Sequence, residues 1–126
     1  MVLGGLVELN KAAPNQSYLE WAETIAKAAI ANLTVDLILH EPCEPDCAPD
    51  GTQFKGIFIR NLQLLQSVAP QDEYVSVINA NAKSIWANDR NSEDMFSVIW
   101  SGPFIAPANA STHSSAMDAL VAAIVY

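Results

Sequence analysis

The strongest constraint on the fold of this chain is an alternation between two kinds of helix. Helical periodicity marks five segments, and strand signals are almost absent. The third segment, about Gln53 to Val68, is apolar nearly all round, with Lys55 and Arg60 its only charges. The fifth starts near Ser114 or Ser115, runs to the end of the chain and carries one charge, Asp118. The second and fourth are amphipathic instead. The second shows an apolar stripe of Tyr18, Ala22, Ile25 and Ala29, with Glu20, Glu23 and Lys27 facing away. The fourth, Gln71 to Asn88, shows Tyr74, Ile78, Ala82 and Ile85 against Asp72, Glu73 and Lys83. A helix that is apolar all round sits inside an assembly, and an amphipathic one lies on its outside. Inner, outer, inner, outer, inner is the order a ring of helical hairpins produces. A small bundle would give every helix one polar face.

Local signals sharpen the boundaries. The first helix, Val2 to Ala12, stops at Pro14-Asn15, and Ser17-Tyr-Leu-Glu20 has the form of a capping box opening the second. Residues 33–53 are irregular, with three prolines, both cysteines and an Asp50-Gly51 turn, and Leu37-Ile38-Leu39 suits a short strand or an extended arm. A loop containing Trp100-Ser-Gly-Pro-Phe104 joins the fourth helix to the fifth.

Composition excludes several function classes. In 126 residues, 14 acidic side chains face 6 basic ones, a formal net charge of −8. No clustered Lys and Arg exist to meet a phosphate backbone or an anionic membrane, so nucleic acid is not an expected partner. No apolar run is long enough to span a bilayer. The residues around Glu8 and Lys11 interrupt the first apolar run too early for an export signal. Apolar residues reach 51% and charged ones only 16%, an unusual ratio for a small free-standing domain. Some apolar surface is therefore expected to meet something else, with self-association through the apolar helices as one outcome.

Cys43 and Cys47 would close a small disulfide loop in an oxidising compartment. A zinc site needs four ligands, and His40 and His113 offer no paired spacing, so neither metal nor cofactor is expected. Asn15, Asn32 and Asn109 each begin an Asn-x-Ser/Thr sequon, and with the cysteine pair they tilt towards secretion.

Several stretches carry a family resemblance. Asp50-Gly-Thr-Gln-Phe-Lys-Gly-Ile-Phe-Ile-Arg-Asn-Leu62 resembles the FKGIF block of glycoside hydrolase family 76, the endo-acting α-1,6-mannanases. Leu33 to Glu44 is similar to the arm before that block. Val2 to Leu9, Trp100 to Phe104 and Ser114 to Leu120 resemble further blocks in the same order. The resemblance implies an all-α fold, a partial (α/α)6 toroid in which residues 1–126 form the C-terminal part of one domain and the N-terminal part is absent. It also implies secretion or a cell-wall location, and action on α-1,6-mannan by hydrolysis or by a related glycan transfer.

In that fold the cleft lies where the inner helices begin. This would bring Glu41, Asp50, Gln53, Phe54 and Lys55, and Trp100, His113, Ser114 and Ser115, to or near it. The catalytic pair of the family is two adjacent aspartates, and the sequence contains no Asp-Asp. Glycoside hydrolysis needs two carboxylates flanking the bond. No catalytic residue is therefore expected in this chain, and the isolated chain is expected to be inactive. A pseudoenzyme that binds carbohydrate without cleaving it, and a helical interaction module, are the alternatives.

Single residues keep two readings each. Lys55 would contact a sugar hydroxyl or pair with an internal carboxylate, and Arg60 reads as structural. Trp100 and Phe104 would stack on a sugar or fill the core. Asp50 would line the cleft or cap the turn, and Ser114 and Ser115 would cap the last helix. The adjacent Glu93-Asp94 reads as a solvated loop.

Overall fold

A computed structural model describes residues 2–126. Five helices carry the fold: α1 (Val2–Ala12), α2 (Gln16–Leu33), α3 (Phe54–Gln66), α4 (Asp72–Asn88) and α5 (Ala110–Val125). A two-stranded antiparallel hairpin, β1 (Thr34–Val35) with β2 (Ile38–Leu39), follows α2, and a single 3-10 turn, Gly51–Gln53, leads into α3. Asp36 and Leu37 join the two strands with positive φ angles of 51° and 70°, the handedness of a tight two-residue hairpin turn.

Helices α1, α3 and α5 stand side by side, with α1 against α3 and α3 against α5. Helix α2 pairs with α1, and α4 packs on α3 and α5. This is the inner row and outer row that the alternation predicts. The core lies between the rows, where Leu3, Val7, Ile59, Leu62, Leu65, Ile78, Ile85 and the small residues Ala116, Ala119 and Ala122 are buried. The inner helices approach closely because glycine stands at both crossings. A Cβ on Gly4 would fall 1.8 Å from the Asn61 side chain, and one on Gly56 would fall 2.6 Å from the Cα and carbonyl oxygen of Ser115. The Gly56 amide uses that proximity to donate to Ser115 Oγ at 2.9 Å.

Two caps differ from the sequence expectation. Helix α2 is capped by Asn15, whose Oδ1 accepts from the Ser17 amide, so Ser17 lies inside the first turn and is not the cap. The capping box belongs to α5. Asn109 Oδ1 accepts from the Ser111 and Thr112 amides, and Thr112 Oγ1 accepts from the Asn109 amide. Helix α5 therefore starts at Ala110. Ser114 and Ser115 fall within it, and Ser115 serves the crossing with α3 instead of a cap. Asn and Thr outrank a serine lying further on because their side chains close the reciprocal pair.

Buried Asn81 on α4 holds the hairpin in place. Its Oδ1 accepts from the Leu39 amide at 2.9 Å, and its Nδ2 donates to the Leu37 and Val77 carbonyls. No helix among the described residues is long and apolar enough to cross a membrane.

The Gly56 crossing makes a direct prediction. Gly56→Ala forces α3 away from the α5 backbone and should cost roughly 1–3 kcal/mol, the range for overpacking a tight site. Urea unfolding of the two chains measures this. Equal midpoints would contradict the close approach.

Candidate functional site

The start of α3 carries a lysine into the interior. Lys55 is 2% exposed, and burial of an ammonium demands partners. Its Nζ donates to Glu44 Oε1 and to the Val98 carbonyl, and it lies 4.8 Å from the centroid of the Trp100 ring. Burial pulls the Lys55 ammonium below its ordinary range, and the bond to Glu44 opposes that shift. Glu44 is fully committed in turn. Its Oε1 also accepts from the Glu41 amide at 2.9 Å, and its Oε2 faces His40 Nδ1 at 3.3 Å. Glu44 stands next to Cys43, which is disulfide-bonded to Cys47. One internal ion pair thus fastens the whole disulfide loop to α3.

A second buried charge fixes the loop after α4. Asp89 is 0% exposed, and its Oδ1 accepts from the Ser97 amide at 3.1 Å and from Ser97 Oγ. Ser97 Oγ also accepts from the Ile99 and Ile105 amides, so this one hydroxyl gathers the loop. Asp89 Oδ2 is buried without a protein partner. Burial pushes the Asp89 carboxyl up to about 6, while the bonds from Ser97 and the charge of Lys55 pull it down. Glu41 is half-buried. Burial raises its carboxyl above the ordinary range, Lys55 opposes this and Glu44 adds to it.

The other expected site residues separate into exposed and buried. Gln53 and Phe54 are exposed at the start of α3, Phe54 by 50%, and Phe54 with Val2, Ile57 and Phe58 lines an apolar cavity of about 360 Å³. Ser114 is exposed on α5. His113 is half-buried and stacks on Phe96 at 5.2 Å between ring centroids. Trp100 is completely buried, so its ring lies on Lys55 and offers no open platform to a sugar. Lys55 is likewise held by an internal carboxylate, the second of its two expected partners. Asp50 accepts from the Gly51 amide at 3.0 Å, the turn-capping role. Arg60 is exposed and lies 4.0 Å from Asp118. Asp94, in the exposed loop, meets Arg90 at 3.1 Å.

Glu44, Asp89 and Ser97 were not legible as site residues. Their importance lies in tertiary partners, and no local spacing announces those. Chemically, the arrangement builds a rigid polar wall. Glu44 is spent on Lys55, Asp89 on Ser97 and Asp50 on a backbone amide. No group of three or more His, Cys, Asp or Glu among the described residues could hold a metal ion.

A row of inner helices with outer helices behind it, and a polar wall at the start of α3, define a segment of an (α/α)6 toroid. The model for glycosyl hydrolase family 76 matches residues 1–126, and the chain belongs to that family. Among solved structures, the α-1,6-mannanase of Salegentibacter sp. HEL1_6 is 22% identical with a TM-score of 0.85, over 98% of this chain and 37% of that one. An inactive variant of that enzyme, with two adjacent aspartates replaced by asparagine and in complex with α-1,6-mannotriose, aligns equally well. A Listeria innocua protein is 24% identical with a TM-score of 0.87, over 98% of this chain and 35% of that one. The chain therefore spans little more than a third of the length of these structures. No curated protein matches its sequence.

Lys55→Met strands Glu44 in the interior and should cost roughly 3–5 kcal/mol, the penalty for removing one partner of a buried pair. A loss below 1 kcal/mol in denaturant unfolding would show the pair to be dispensable. Asp89 has a folded value raised above its unfolded one. The stability it contributes is thus fully present below about pH 4 and is lost as pH rises through about 6. Asp89→Asn should flatten stability between pH 4 and 7. An unchanged pH slope would refute this.

Proposed function

We propose that this chain forms one wall of the substrate cleft in a glycoside hydrolase toroid acting on α-1,6-mannan, and that it recognises the glycan without itself supplying the catalytic carboxylates. The observation that carries this reading is the family match along all 126 residues. It is supported by the fold likeness to an α-1,6-mannanase and to its mannotriose complex. The division of labour is supported by Glu44 and Asp89, which are engaged in an ion pair and hydrogen bonds, and by the absence of any Asp-Asp from the sequence. On this reading the cleaving pair belongs to the remainder of the toroid. Cleft contacts come from exposed Gln53, Phe54 and Ser114 and from half-buried Glu41 and His113. Hydrolysis and glycan transfer would both use such a wall.

Secretion belongs to the same proposal. It is supported by the Cys43–Cys47 disulfide and by the exposure of Asn15 and Asn32, two of the three sequon asparagines. The apolar surfaces of α4 and α5 are the faces through which the chain would meet the rest of a ring or associate with itself. Trp86, Val121 and Ile124 stand open there, Ile124 by 83%.

Incubation of the purified chain with α-1,6-mannotetraose tests the division directly. The expected outcome is saturable binding, followed by nuclear magnetic resonance shifts, with no release of shorter sugars. Cleavage by the chain alone would overturn the proposed division, and a folded chain that fails to bind would remove the recognition role.

A further inference from the structure

The disulfide loop and the loop before α5 enclose a cavity of about 380 Å³ above the starts of α3 and α5. We propose that this cavity is a binding pocket for one neutral sugar ring, with Asp46 and Asn109 as its hydroxyl-binding groups. The inference deepens the mannan reading, and rests on it for the identity of the sugar.

The lining decides the class of ligand. Asp46 is its only charge, and no Lys or Arg reaches it. Together with a net charge of −8, this disfavours phosphates, carboxylates and other anions. A cation would meet a single carboxylate, and no metal-binding group of three exists among the described residues. The remaining surface alternates polar groups with the rings of Pro45, Pro49 and Pro107. Sugar rings present the same mixture, with hydroxyls at the edge and C–H groups on the face. Sites of this kind orient a ligand with a few placed polar groups against apolar walls.

The polar groups are still available. Among the described residues the Asp46 carboxylate makes no hydrogen bond or ion pair, although its backbone amide donates to the Cys43 carbonyl. Asn109 spends Oδ1 on the Ser111 and Thr112 amides as the α5 cap, which leaves Nδ2 free to donate. An acceptor and a donor therefore stand at one pocket. The walls are also fixed in advance. The Lys55–Glu44 pair holds the disulfide loop, and Thr52 Oγ1 donates to the Pro49 carbonyl and accepts from Ser111 Oγ, tying the loop to the start of α5. A preformed pocket spares a weak ligand the cost of ordering its site. A glycan on Asn109 would consume the free amide and fill the same space.

The test uses the full chain made without N-glycans, titrated with α-1,6-mannotriose and followed by amide shifts. Saturable shifts at Asp46, Thr52 and Asn109 are expected. Asp46→Ala should weaken binding about tenfold, the loss of charge-assisted bonds to hydroxyls. Asn109→Ser keeps a good helix cap and removes the amide, and should weaken binding several-fold. Lys83→Ala, on the α4 face, should change nothing. Binding that survives both pocket substitutions overturns the pocket and leaves the mannan reading standing. Binding of isomaltotriose at these amides, with none of mannotriose, keeps the pocket and overturns the choice of mannan. A well-dispersed spectrum with no shifts for either sugar overturns the pocket.

Discussion

An ammonium group cannot be left bare in an apolar interior, and the start of α3 places Lys55 in one. Everything at this end of the molecule accommodates that fact. Glu44 comes from 11 residues upstream and the Val98 carbonyl from 43 residues downstream, and both converge on one nitrogen. Trp100 covers the remaining side, where the electron-rich ring face favours a cation. The disulfide loop, the inner helix and the loop after α4 are thereby locked to one another. Asp89 repeats the device with opposite charge, because Ser97 supplies it with two donors and then collects two further amides. A pair of buried charges, each with its own set of partners, gives the wall a rigidity that loops rich in proline and serine would not have alone.

The helices were legible because their signal is periodic and local. The boundaries of α1 and α4 and the inner–outer order follow from the apolar pattern. The start of α5 was not legible in the same way. Asn109, Ser111, Thr112, Ser114 and Ser115 all have cap-forming side chains. Which of them caps is decided by the reciprocal bond that only Asn109 and Thr112 complete. The site was legible by halves. Lys55 stood out as a charge on an apolar helix, and an internal carboxylate was one of its two expected partners. That the carboxylate is Glu44, and not Glu41 or Asp50, depends on how the disulfide loop folds back. Gly4 and Gly56 carry no signal at all until the neighbouring helix is in place.

The same distinction separates what this chain holds internally from what it leaves open. The Lys55 and Asp89 networks draw every protein partner from the chain itself. The apolar surfaces of α4 and α5 do not. Helix α5 has α3 on one flank and α4 behind it, while Val121 and Ile124 face outward beside Trp86. The chain aligns with 37% of the solved mannanase and shares the fold of that arc, and its open apolar faces agree with its excess of apolar over charged residues. Recognition of a sugar needs only a preformed wall, and a wall is a local structure. Hydrolysis needs two carboxylates at a set separation across a bond. The pair that the family resemblance implies is two adjacent aspartates, and no Asp-Asp occurs in this sequence. On the proposed function, recognition would rest on the polar networks that the chain completes itself, and closure of a ring on its open apolar faces.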